Sequence, residues 1–213
     1  MKIIIFGAGN MAAGIGLRAL SGGHAVGLVD TDAAKAEQLA GSLQRRTPNG
    51  QARAAAPLDV GEADLVVLAL PYPAGVHVAA TYEDDLAGKP VVDISNPVDF
   101  QTMDSLLVPP GTSAAEQIAE AAPHAHVVKA FNTTFAATLH DGQVAGQPLD
   151  VFIAGDDPAA KKTVAELASS GGLRPIDAGP LRRARELEAM QLLHMGLQNT
   201  IGAHWSSAIK ILP

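Results

Sequence analysis

Runs of consecutive apolar residues recur along the chain at 2–6, 25–29, 64–70, 89–94, 127–131 and 149–154, and each stops at a glycine, a proline or a small polar residue. Continuous rather than alternating hydrophobicity predicts strands covered on both faces, as in a parallel sheet. The segments between them carry helical spacing. Residues 10–20 predict a helix closed by Ser21-Gly22-Gly23, and Ala36, Leu39, Ala40 and Leu43 mark a second, capped by Thr31 or Asp32 and broken by Thr47-Pro48-Asn49-Gly50. Residues 74–86 read as a third. Ser113-Ala114-Ala115-Glu116 forms a capping box for a helix to about residue 122, and Asp157-Pro158 opens another that closes at Gly171-Gly172. Residues 173–177 add an edge strand. The alternation predicts an α/β fold, a Rossmann-type doubly wound and mostly parallel sheet.

Two stretches depart from that rhythm. Residues 98–111 form a long segment with Pro109-Pro110-Gly111, a candidate flap over the substrate side. From residue 181 the chain reads as mostly helical, with Leu187, Met190, Leu197 and Ile201 on one stripe. The expected organisation is a dinucleotide-binding domain over 1–180 and a helical extension over 181–213, packed on the cleft or on a second subunit.

The chemistry begins where the first strand meets its helix. Gly7-Ala8-Gly9-Asn10-Met11-Ala12 is a G-x-G-x-x-A sequence straight after an apolar strand. Gly7 permits the tight turn, Gly9 lets the backbone approach a pyrophosphate, and Ala12 is small enough for helix to pack on strand. The free N–H groups of the helix N-terminus face the anion. Asp30 ends the second strand, 23 residues after Gly7, where a carboxylate accepts from the adenosine ribose hydroxyls. Its charge repels a 2′-phosphate, and Lys35 is the one cation nearby, so NAD(H) is expected over NADP(H).

Composition narrows the partners. The net charge is -7 and no basic run exceeds two residues, Arg45-Arg46 (expected in solvent) or Arg182-Arg183, which argues against nucleic acid and anionic membranes. With no cysteine, disulfides and thiolate chemistry are excluded. No apolar stretch approaches the ~18 residues of a membrane span, and the N-terminus lacks a signal pattern, so a cytoplasmic location is expected. The seven histidines include no i, i+4 pair on a helix, and no metal site is expected. His194 falls in line with the apolar stripe and reads as a satisfied interface histidine, or else as a pocket residue. Arg185 and Glu188 are spaced for an i, i+3 helix pair. Tyr72 stands between two prolines and is assigned to a ligand ring; Trp205 is assigned to tail packing. The apolar tail suggests a homodimer.

Five strings then carry a family likeness: FGAGNMAAGIG, DLVVLALPYPA, VVDISNPVDF, VVKAFNTTFAATL and LRPIDAGPLRRARELEAM. Together they resemble the NADP oxidoreductases that use the deazaflavin coenzyme F420, especially their bacterial branch of dinucleotide-binding reductases. They are also similar to the cytosolic domain of the STEAP metalloreductases. The resemblance implies a small-molecule redox substrate, a flavin or the deazaflavin, stacked on a nicotinamide so that hydride passes between two flat rings. It further implies that Gly7, Gly9, Asn10 and Met11 bind the pyrophosphate and that Leu70, Pro71 and Tyr72 border the nicotinamide. Asn96, Pro97, Phe131 and Asn132 would line its other side. Two departures stand out: Asp30-Thr31-Asp32 replaces the family's serine–arginine grip on the 2′-phosphate, and Lys129 to Thr133, KAFNT, replaces a less polar segment. Lys129 reads either as a proton donor to a carbonyl or imine or as the partner of a carboxylate. Asn132 reads as an amide for the nicotinamide carboxamide or a substrate oxygen. Besides ring-to-ring transfer, the residues leave open a reductase of a small carbonyl or imine, with Lys129 as its acid, and a non-catalytic NAD(H) sensor.

Overall fold

The computed structural model describes residues 1–212. The first half alternates strand and helix: β1 (Lys2–Phe6), α1 (Asn10–Ser21), β2 (Ala25–Val29), α2 (Ala33–Arg46), β3 (Gln51–Ala54), β4 (Leu65–Leu68), α3 (Tyr72–Thr81), α4 (Glu83–Leu86) and β5 (Pro90–Asp93). The second half continues with α5 (Ala114–Ala121), β6 (His126–Lys129), α6 (Ala136–Asp141), a small ribbon of β7 (Gln143–Val144) and β8 (Gln147–Pro148), then β9 (Asp150–Gly155), α7 (Pro158–Ser170), β10 (Arg174–Gly179) and α8 (Ala184–Leu197).

Eight strands share one sheet in the order β10-β9-β6-β5-β4-β1-β2-β3. All neighbours are parallel except β9 against β6. The chain winds outward from β1 to β3, then returns to β4 on the other side of β1 and winds the opposite way. The loops after β1 and β4 therefore part and leave a crevice at the carboxyl ends of the strands. Alternation along β1 sorts the core: Ile3 and Ile5 pack with α1, α2 and α7, while Ile4 and Phe6 pack with α3 and α5. A sheet covered on both faces needs such unbroken apolar strands.

The caps follow the sequence. Asp32, not Thr31, accepts from the N–H groups of Ala34 and Lys35; Ser113 accepts from Glu116 and Asp157 from Ala160. Arg45 and Arg46 are exposed, Arg46 against the His140 ring. The expected helix over 74–86 is two helices, because Tyr82 leaves helical geometry at their junction to pack on Phe6, 5.2 Å between ring centroids. Two elements have no apolar run to announce them. Strand β3, QARA, is a half-exposed edge, and the β7–β8 ribbon is made by left-handed Ala145 and Gly146. Both sheet edges are short or irregular: β3 has four residues, and β10 carries Pro175 and a register shift between Asp177 and Gly179.

The C-terminal extension differs most from its expectation. Helix α8 stops at Leu197, and residues 198–212 are turns and irregular chain. Of the expected stripe, Leu187 is buried, but Leu197 and Ile201 are exposed. The face that α8 buries is Ala184, Leu187, Glu188, Gln191 and His194. The reason is its seat: Leu187 packs with Phe152 and Ala154 of β9, while the neighbouring face of α8 meets polar partners, Glu188 at Lys129 and His194 at Ser207.

The tail after α8 is tied back by Asp150. Its carboxylate accepts from Arg174 at 2.7 and 2.6 Å, from Lys210 at 2.7 Å and from the Ile211 N–H at 2.9 Å. Burial alone would push this carboxyl up; the hydrogen bonds from Arg174, Lys210 and Ile211 outweigh it and hold the pKa at about 2. The reference value is 3.8, so the anchor is complete above that pH and is lost as pH falls through about 2. It is worth on the order of 2 kcal/mol. Asp150→Asn is expected to remove that much at neutral pH and to flatten the acid limb of the stability curve, read by urea denaturation between pH 2 and 7. An unchanged acid limb would place the acid sensitivity elsewhere.

Candidate active site

The loop from β1 to α1 is shaped for a close approach. Gly7 has φ +102°, and a Cβ there would stand 2.5 Å from the carbonyl oxygen of Ala69. Only glycine fits that position. Gly9 is the N-cap of α1, and a Cβ there would meet nothing within 4 Å. No side chain caps α1 and its first turn holds no acid, which leaves the helix N-terminus open to an anion. Ala12 is fully buried beneath, as its packing role requires.

Asp30 serves the loop itself. Its Oδ2 accepts from the Ala8 N–H at 2.8 Å and its Oδ1 from the Asp32 N–H at 2.9 Å, so the tip of β2 holds the glycine turn in place. Each oxygen retains a second acceptor position toward solvent. Thr31 and Lys35 are exposed beside it, with the Lys35 ammonium 3.8 Å from Asp32.

Two adjoining cavities of about 460 and 600 Å³ occupy the crevice and share Asn10, Met11, Ile94, Asn96, Phe100 and Met195. The first is bounded by Gly9, Leu70, Pro71, Tyr72 and Pro97. Asn132, Phe135, Gln191 and Trp205 wall the second. The candidate residues Gly9, Asn10, Met11, Leu70, Pro71, Tyr72, Asn96 and Pro97 thus meet around one space, and Asn132 adjoins it. Phe131 does not: its side chain is 1% exposed within the core and lines neither cavity. Its backbone has φ +62°, unusual for an aromatic residue, and that twist turns the chain after β6 toward Asn132.

Asn96 and Asn132 form a reciprocal pair. The Asn96 amide donates to the Asn132 carbonyl at 2.9 Å, and the Asn132 amide donates to Asn96 Oδ1 at 3.0 Å and to the Leu187 carbonyl at 3.2 Å. Asn132 Oδ1 is buried with no partner, as are Ser95 Oγ and Thr133 Oγ1. An orphaned buried acceptor beside a cavity is a place for a ligand donor.

Lys129 takes the carboxylate role of its two readings. Its Nζ lies 2.6 Å from Asp93 Oδ2, 2.7 Å from Glu188 Oε1 and 2.6 Å from the Ser95 carbonyl, and all three side chains are fully enclosed. Glu188 also accepts from the Ala114 N–H at 3.1 Å. Burial pushes the Glu188 carboxyl up, against the pull of Lys129. The expected Arg185–Glu188 pair does not form. Arg185 instead holds Glu116 with two hydrogen bonds, 2.8 and 2.6 Å, because Glu188 faces inward on α8. Reading for an apolar stripe missed Glu188, although its spacing from Ala184 and Gln191 put it on one helical face.

The remaining polar groups are also engaged. The Tyr72 hydroxyl donates to Gln117, and burial, with Glu188 nearby, raises its pKa. His194 contacts Gln191 at 3.1 Å and Ser207 at 2.8 Å, and burial lowers its pKa, so it is the satisfied histidine of the first reading. Phe135 stacks against it at 4.6 Å, with Trp205 edge-on at 5.2 Å, which gives Trp205 its tail-packing role. Among the described residues no group of three or more acids and histidines is placed to hold a metal, and no helix is long and apolar enough to cross a membrane.

A doubly wound sheet, a glycine loop opening on an uncapped helix and a cleft at the switch point define a protein of the Rossmann fold with a crevice of the kind that takes a dinucleotide. The profile of the family described as NADP oxidoreductase, coenzyme F420-dependent, matches residues 2–97. The F420-dependent NADP reductase of Methanothermobacter thermautotrophicus is 30% identical over 94% of this chain and 91% of its own. The chain belongs to this family of F420-dependent NADP oxidoreductases. The enzyme of the same name from Methanocaldococcus jannaschii is 36% identical over 64% of this chain, and rat Metalloreductase STEAP3 is 32% identical over 90% of it. Those matches span 62% and 36% of the two relatives, less than two thirds of either. A crystal structure of a candidate F420-dependent NADP-reductase from Arthrobacter sp. FB24 superposes over the full length of both chains with TM-score 0.82 and 31% identity.

Proposed function

We propose that this chain binds a reduced nicotinamide dinucleotide and passes its hydride to a flat flavin or deazaflavin ring. The carrying observation is the state of Lys129: its ammonium is enclosed and has three acceptors, and the Tyr72 hydroxyl donates to Gln117, so neither stands free as the acid that carbonyl or imine reduction needs. Hydride transfer between two rings needs positioning and exclusion of water instead. Open space at Gly9 and an uncapped helix N-terminus support such a cofactor, since its pyrophosphate needs close backbone approach and free N–H groups.

In this reading the nicotinamide supplies the hydride. The α1 N-terminus, through Gly9, Asn10 and Met11, holds the pyrophosphate. Pro71 and Tyr72 border the ring on one side, Asn96 and Pro97 on the other, and Asn96 with Asn132 orients the polar edges of both reactants. Residues 181–212 act as an extension that covers the cleft. Asp30 and Asp32, at the tip of β2, favour the ribose hydroxyls over a 2′-phosphate, so NADH is the preferred donor although the named relatives are NADP reductases. We further propose a homodimer in the cytoplasm; a monomeric mass in sedimentation at micromolar concentration would refute the dimer.

Titration with NADH and NADPH, followed by stopped-flow absorbance at 340 nm against FMN, FAD and F420, tests the reading. Expected are at least about tenfold tighter binding of NADH and rapid oxidation by one ring, with Asn132→Leu slowing transfer about tenfold or more. Preference for NADPH would overturn the role of Asp30 and Asp32. Binding without oxidation by any ring would overturn the hydride reading.

A further inference from the structure

The segments that wall the cleft, residues 7–17, 69–88, 93–111, 130–139 and 186–209, contain none of the chain's 15 lysines and arginines. The five cations that flank these segments are committed: Arg18 to the His140 and Gly171 carbonyls, Lys89 to those of Gly61 and Ala63, Lys129 among its three acceptors, Arg185 to Glu116 and Lys210 to Asp150. His194 is buried and bound at both ring nitrogens. The flap adds Asp99 and Asp104, and the whole chain carries -7. An anionic tail on an acceptor has no counter-charge here and meets a field of its own sign.

What the cleft offers is ring recognition. Met11, Phe100, Phe135, Met195 and Trp205 supply apolar and aromatic faces. Asn96, Asn132 and Gln191 supply amide edges, and Asn132 Oδ1 is a buried acceptor without a donor. An N–H on the rim of a heterocycle satisfies it; a quinone has no such donor.

We infer that the acceptor is chosen by an uncharged, flat, N–H-bearing ring alone, and that phosphate or glutamyl tails contribute nothing to recognition. This rests on the hydride reading above, and it fixes the substrate class within it. The nicotinamide gives the ring one hydride, two electrons with a proton, and the reduced ring takes its second proton from water. The nicotinamide is oxidised and the ring reduced, with no further reactant.

The test compares rings with and without tails, at saturating nicotinamide: riboflavin against FMN, and 7,8-didemethyl-8-hydroxy-5-deazariboflavin against F420, each at low and high salt. Expected is kcat/KM for the tail-less member of the reactive pair equal to or above its tailed partner. The tailed member should gain rate with salt as repulsion is screened, and the tail-less one should not. A tailed acceptor preferred by about tenfold or more, with rates that fall as salt rises, would overturn the inference and leave hydride transfer standing. No turnover with any of the four, while the nicotinamide binds, would overturn both. Asn132→Leu is expected to lower kcat/KM for the riboflavin and FMN reactions by the same factor; loss confined to FMN would also count against ring-only recognition.

Discussion

Lys129→Met is expected to destabilise the fold by about 3–5 kcal/mol, read as a lowered midpoint in urea denaturation. The side chains are similar in length, so packing changes little. What is lost is the one positive charge between Asp93 and Glu188, both fully buried. A carboxylate pair stripped of its counter-ion in a low-dielectric interior must take up protons or open the structure. The sign with pH follows. Burial already holds the Glu188 carboxyl above its usual range, and removing the ammonium pushes it higher. A group raised in the folded state stabilises below its unfolded pKa and loses that contribution as pH rises through the folded one. The deficit of the variant is therefore largest at neutral pH and shrinks toward pH 5. Lys129→Met combined with Glu188→Gln is expected to recover much of the loss, because fewer buried charges remain unpaired. A full deficit in the double variant, or one independent of pH, would show that the lysine acts through packing.

Gly9→Ala is expected to leave the stability of the protein nearly unchanged while weakening dinucleotide binding by about 10- to 100-fold. The two glycines of the loop do different work. At Gly9, φ is -87°, which alanine adopts freely, and the added methyl meets no protein atom. In the proposed reading it occupies the space through which the pyrophosphate approaches the backbone. At Gly7, by contrast, φ is +102° and the methyl collides with the Ala69 carbonyl, so Gly7→Ala is expected to unfold the loop before any question of binding arises. Calorimetric titration of Gly9→Ala with NADH, beside its thermal melt, separates the effects. Unimpaired affinity in a folded variant would move the pyrophosphate away from α1.

The strands that carry this site were legible because each is buried on both faces and so reads as an unbroken apolar run. The glycine loop was legible because its geometry tolerates few residue types. Strand β3 was not, since an edge strand half in water needs no such run, and QARA carries none. Helix α8 was misread for the opposite reason. Its exposed positions hold Leu193 and Leu197 and its buried ones Glu188, Gln191 and His194, an inversion that periodicity cannot detect. The local environment of Lys129 was half legible: a carboxylate partner was one of two readings, but Asp93 and Glu188 come from β5 and α8, and only the folded sheet brings them together. The family resemblance assigns Phe131 to the cleft, yet its left-handed backbone sends the side chain into the core and leaves Asn132 at the cavity.

The two edges of the sheet bear on how the protein behaves at high concentration. Strand β10 presents a proline and a bulge to an incoming strand, and β3 offers four residues with Arg53 held against Asp59. Neither edge is a template for a further strand, so copies of the chain are kept from stacking into a continuous sheet. The exposed Leu193 and Leu197 of α8, with Ile201 and Trp205 in the turns after it, leave apolar surface that offers no strand edge.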